Sequence, residues 1–128
     1  MMINIYVCGN PLVKDDSLPL RILSTMRKKN PNVAFIEFDP TEDLPCEKEF
    51  VCIDTVINAK DVLLLTDIDT FVATKALSLH DFDLGLNLKL AKKMGWLKEV
   101  KIIGVPPRMP AEEAVEKIGK IIASLAFG

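Results

Sequence analysis

The chain has 128 residues, 49% of them hydrophobic, and a formal net charge of −2. That length suits one domain with a packed core, and the composition excludes a disordered chain and a basic nucleic-acid surface. With no run of 18 apolar residues and no charged-then-apolar leader, the sequence predicts a soluble, cytoplasmic protein that does not engage a membrane.

Ile3 to Val7 is a β-branched and aromatic run that predicts a first strand. Gly9-Asn10-Pro11 stops it, because Pro11 holds Asn10 away from helical dihedrals. Two adjacent carboxylates, Asp15 and Asp16, precede a helix start that either Ser17 or Asp16 can cap, with Pro19 suited to its first turn. Leu20, Leu23 and Met26 form the apolar stripe, and Asn30-Pro31-Asn32 breaks the helix. Val33 to Phe38 predicts a second strand, which completes a βαβ unit with its two strands parallel.

Residues 39–49 are polar, carry Pro40 and Pro45, and offer little more than one helical turn. Phe50 to Val56 predicts a third strand, with Asp54 late in it, and Val62 to Leu65 a fourth. The short connection between them favours an antiparallel hairpin. An extended Thr70 to Ser78 then returns the chain over roughly 30 Å, at about 3.3 Å per residue. Ser78-Leu79-His80-Asp81 has the S-x-x-D pattern of a helix start, and that helix runs to about Met94, with Gly95 at its C-cap. Val100 to Val105 predicts a fifth strand. Pro110 opens a last helix with Ala114, Ile118, Ile121, Ile122 and Leu125 on one face. The expected architecture, over residues 1–128, is a single α/β domain: a twisted, mostly parallel sheet of about five strands flanked by helices on both faces.

In an open α/β sheet, ligands bind outside the carboxyl ends of the strands. On this topology Asp16, Asp54 and His80 reach that edge from three separate segments, while Asp67 and Asp69 fall at the opposite edge. Acids at a helix start also serve as caps, and a histidine there can simply occupy a polar pocket. The functional alternative is specific. A helix N-terminus disfavours imidazolium and leaves a neutral ring able to bind a metal or act as a base. Two carboxylates and one imidazole make a divalent-metal site with open positions, weak and suited to an exchangeable metal or one presented by a partner. Cys8, Cys46 and Cys52 are odd in number and lack CxxC spacing, so they imply neither a disulfide framework nor structural zinc. No GxSxG elbow, HExxH, Walker motif or dinucleotide fingerprint is present.

Four stretches resemble the hydrogenase maturation endopeptidases. Gly9-Asn10-Pro11-Leu12-Val13-Lys14-Asp15-Asp16 is similar to their GNxLxxDD or GNxLxxDE signature. Ile53-Asp54-Thr55 resembles their hydrophobic strand ending in Asp-Ala, and Leu79 to Leu86 their Ser-Pro-His segment. Ile103-Gly104-Val105-Pro106-Pro107 resembles their closing strand. The resemblance spans about residues 3–107. It departs where Val7-Cys8-Gly9-Asn10 replaces Gly-x-Gly-Asn, and where Asp39 to Pro45 replaces a glycine-rich segment. It implies an aspartic-type or metal-dependent endopeptidase that removes the C-terminal extension of a [NiFe]-hydrogenase large-subunit precursor once nickel is loaded. Asp16, Asp54 and His80 then coordinate that nickel, which the substrate presents. The alternative is a non-enzymatic α/β metal- or partner-binding domain, because fold alone does not fix function.

Overall fold

The protein, in a computed structural model, is described at residues 3–9, 17–39, 47–74 and 79–127, with side chains 72–83, 126 and 127 left out of the description. Strand β1 (Ile3–Val7) is followed by helices α1 (Leu18–Arg21) and α2 (Leu23–Lys29), then β2 (Val33–Glu37). Pro19 sits in the first turn of α1 as expected. Ser17 stands at its N-cap position, but its hydroxyl makes no capping bond and instead accepts from Arg21 Nε at 3.0 Å. Next come β3 (Glu49–Thr55), β4 (Leu63–Leu65), α3 (Ile68–Thr74), α4 (Leu79–Lys93), β5 (Glu99–Val105) and α5 (Ala111–Phe127).

The five strands form one mixed, mostly parallel sheet in the order β2-β1-β3-β5-β4. The βαβ unit is as expected, with β1 parallel to both β2 and β3. The expected β3–β4 hairpin is not formed, although β4 is antiparallel. β5 inserts between the two, pairing with β3 from Glu49↔Glu99 to Thr55↔Val105, while β4 pairs only with Ile102–Gly104. The reason is burial. Phe50 through Val56 are all buried, so β3 lies inside the sheet between β1 and the seven-residue β5, and the three-residue β4 is left at the edge.

The expected extended return from Thr70 to Ser78 is also corrected, because α3 occupies Ile68–Thr74. Asp67 starts that helix: its Oδ1 accepts the Asp69 N–H at 3.0 Å, and its Oδ2 accepts the Thr70 hydroxyl at 3.1 Å. Residues 75–78, including the Ser78 cap, lie outside the described residues, as does the 40–46 segment.

Alternation along the strands divides the core between two faces. On one face α1, α2 and α5 cover Ile5, Val7, Ile53, Ile103 and Val105 with Leu18, Met26 and Ile118. On the other, α3 and α4 cover Phe50, Cys52, Val100 and Ile102 with Phe71, Leu84, Leu88 and Ala91. Gly95 ends α4 at φ +79°, a left-handed conformation. Its N–H donates to Lys92 O and that of Trp96 to Ala91 O, which satisfies two carbonyls of the last turn. The Gly95 cap and the apolar face of α5 are as the sequence predicts.

Candidate functional site

The four parallel strands end together, and their carboxyl edge continues into short loops. Beyond β1, Cys8 N–H still donates to Ile53 O at 2.9 Å, so the chain stays alongside β3 for one more residue. Register then carries Cys8 opposite Asp54, and Asp54 pairs with Gly104 on the other side. Cys8, Asp54 and Gly104 thus cross three adjacent strands at one level.

Asp54 is fully buried. It shares the strand parity of Phe50 and Cys52, which places it on the face covered by α3 and α4. Its Oδ1 accepts the Thr55 N–H at 2.8 Å. A carboxylate out of water needs such partners.

His80 lies in the first turn of α4. That helix ends beside the start of β5, where Lys98 and Glu99 N–H groups both donate to Lys48 O. Its 15 residues span about 22 Å at 1.5 Å each, and the seven of β5 about 23 Å at 3.3 Å each. The first turn of α4 therefore comes level with the strand ends, on the Asp54 side. The His80 side chain is outside the description. Asp16 and Asp15 are outside the described residues, but Ser17, which follows Asp16, is buried at the head of α1 on the opposite face. Asp67 and Asp69 lie at the other edge, as expected. With Ile68 they line a cavity of about 290 Å³ whose remaining wall is Lys89, Lys92 and Lys93 near the end of α4. Among the described residues, no group of three or more His, Cys, Asp or Glu side chains is arranged to hold a metal.

Two features of the edge arise only from packing between strands. Gly104 leaves the space beside Asp54 to Val56 and Leu63; a Cβ there would stand 2.7 Å from Val56 Cγ2. A glycine inside a β-branched strand is the available signal for such close approach. Thr55 turns to the α1 face, and its Oγ1 is buried without a hydrogen-bond partner. Beyond the ends of β3 and β5, a cleft of about 340 Å³ is lined by Ile57, Ala59, Pro106, Pro107, Arg108 and Met109. No helix among the described residues is long and apolar enough to cross a membrane.

No protein-family model matches the chain, and no curated protein matches it. Solved structures do. The hydrogenase-maturating endopeptidase HybD from E. coli is 20% identical with a TM-score of 0.70, over 98% of this chain and 93% of that one. The hydrogenase 3 maturation protease is 17% identical with a TM-score of 0.63, over 91% and 86%. The hydrogenase 2 maturation peptidase from a Thaumarchaeota archaeon is 21% identical with a TM-score of 0.58, over 98% of both chains. Over nearly its full length, then, the chain shares the fold of hydrogenase maturation endopeptidases, the family its four motifs resemble. At this identity the fold is what is shared.

Proposed function

We propose that the protein is an endopeptidase that removes the C-terminal extension of a [NiFe]-hydrogenase large-subunit precursor after nickel insertion, and that it works in the cytoplasm. The observation that carries this reading is Asp54: a fully buried carboxylate at the carboxyl edge, in a fold shared with hydrogenase maturation endopeptidases. In this reading Asp16, Asp54 and His80 engage the nickel that the precursor presents. Carboxylate and imidazole both suit a borderline divalent ion, and three donors leave positions open for the substrate's own ligands. The isolated protein then holds metal weakly and exchangeably. Nickel bound to the precursor identifies a loaded substrate, and a carboxylate at the edge takes the proton from the water that attacks the scissile carbonyl. The attack gives a tetrahedral intermediate, which collapses as the carboxyl returns that proton to the leaving nitrogen, breaking the C–N bond and releasing the extension as an amine.

The test is to incubate the purified protein with nickel-loaded and nickel-free precursor and to read the precursor's mass. Loss of a C-terminal peptide from the loaded form alone is expected, and Asp54→Asn should leave that form uncut. If the protein binds the loaded precursor without changing its mass, the chain is a non-enzymatic binding domain and this reading falls.

A further inference from the structure

Helix α4 has a second apolar face that no described residue covers. Leu84, Leu88 and Ala91 are fully buried against the sheet. On its outer side Leu86, Leu90 and Met94 repeat every four residues and are 53%, 43% and 51% exposed. Trp96, just past the Gly95 turn, is 41% exposed. A helix at the surface of a globular protein normally turns polar residues outward, so this row is the departure that needs a cause. One of its borders is basic, whereas Asp83 and Asn87 precede Leu86 and Leu90 by three residues on the other side. Lys89 and Lys93 follow Leu86 and Leu90 by three residues each, which sets them beside the row, and Lys92 lies further round the same flank. Lys89 reaches Asp69 at 3.0 Å, and Lys92 and Lys93 are exposed.

We propose that this face of α4 is where the body of the precursor docks, and that the precursor's matching surface is an apolar patch bordered by carboxylates. The identification of the partner rests on the endopeptidase reading above. Three observations favour it over a stable pair of like chains. Four half-exposed side chains offer a few hundred Å², the scale of a functional patch and well short of the ~800 Å² per partner of a stable interface. A processing enzyme must release its product, so a small, transient contact fits. The lysine border selects acidic neighbours and makes the encounter salt-sensitive. The row lies on the helix whose first turn carries His80, but it begins at Leu86 and runs away from the carboxyl edge toward the start of β5, so a partner seated on it stands beside the site and not over it.

The test uses the full chain and the nickel-loaded large-subunit precursor, with binding measured on immobilised precursor and cleavage by mass. Leu90→Glu should raise Kd and KM at least tenfold with kcat little changed, because the row lies away from the reacting atoms. Lys93→Glu should weaken binding several-fold and flatten its salt dependence. Ile36→Glu, an exposed apolar position on β2, is the control and should bind like the unaltered protein. Thermal melts establish that each variant is folded. Unchanged Kd and KM in folded Leu90→Glu, or no binding by the unaltered protein, would overturn the docking surface and leave the endopeptidase reading to its own test. Binding that depends on Leu90 without any cleavage would uphold the surface and sink the peptidase. Sedimentation as a dimer that Leu90→Glu dissociates would assign the face to a second copy of the chain and overturn the proposal.

Discussion

Thr55 ends β3 with its hydroxyl buried and no hydrogen-bond partner for it. An orphaned buried hydroxyl costs roughly 1–3 kcal/mol, and an apolar group of the same shape removes that cost. Thr55→Val should therefore raise stability by about 1 kcal/mol, read as a higher urea midpoint at unchanged slope. A lowered midpoint would mean that the hydroxyl is satisfied. Gly104, one strand away, has the opposite sensitivity. Val56 is β-branched and cannot swing its Cγ2 aside, so a Cβ at Gly104 must move backbone or side chain. Gly104→Ala should cost about 1–3 kcal/mol, as overpacking does. The penalty should shrink in a Val56→Ala background, and additive costs in the double variant would show that Val56 is not what the new methyl meets. Because Gly104 pairs with Asp54, the same change should displace the end of β3 that bears the carboxylate.

At the scale of elements, α3 depends on its first residue. Asp67 satisfies one free N–H of the helix start and one hydroxyl, so Asp67→Ala should cost about 1 kcal/mol. Amide exchange should quicken in Ile68–Thr74 and stay unchanged in α5, whereas a uniform rise would mean global loss. This helix also marks where the sequence stopped being legible. The β-branched strand runs, Pro19 at the head of α1, the Gly95 cap and the α5 face are local signals, and each is legible because its cause lies within a few residues. The hairpin misreading is of another kind. The short connection after β3 does force β4 to run antiparallel, but whether β5 comes between them depends on the burial of β3 on both sides. α3 is hidden because the return to the far edge reads as extended chain from Thr70, whereas the Asp67 side chain caps a helix there. For the site, the order of motifs was enough to nominate Asp54, and the parallel β1–β3 pairing puts it at the expected edge. Gly104 and Thr55 stand within stretches the sequence singles out, but the close approach at one and the buried hydroxyl at the other depend on neighbours in other strands.

On the scale of the whole molecule, the carboxyl edge joins parts that are far apart in sequence. β3 contributes Asp54 and α4, which starts at Leu79, carries His80 in its first turn; Asp16, expected at the same edge, lies outside the described residues. If the three side chains share one nickel ion with the substrate, they act as a unit, and losses within a unit do not add. His80→Ala, Asp16→Asn and Asp54→Asn should each abolish processing of nickel-loaded precursor, and any pair should be little worse than one alone. None should unfold the protein. Asn at 54 keeps an oxygen to accept the Thr55 N–H, and His80 lies in a first helical turn, where its loss should open no core cavity. Thermal midpoints should therefore stay close to that of the unaltered chain while cleavage disappears. Asp15→Asn is the internal contrast. If Asp15 serves only the helix start, its loss costs about 1 kcal/mol or less and spares most cleavage. Full processing by folded His80→Ala would remove the imidazole from the reaction. Loss in Asp15→Asn with Asp16→Asn still active would move the loop's contribution to the other carboxylate.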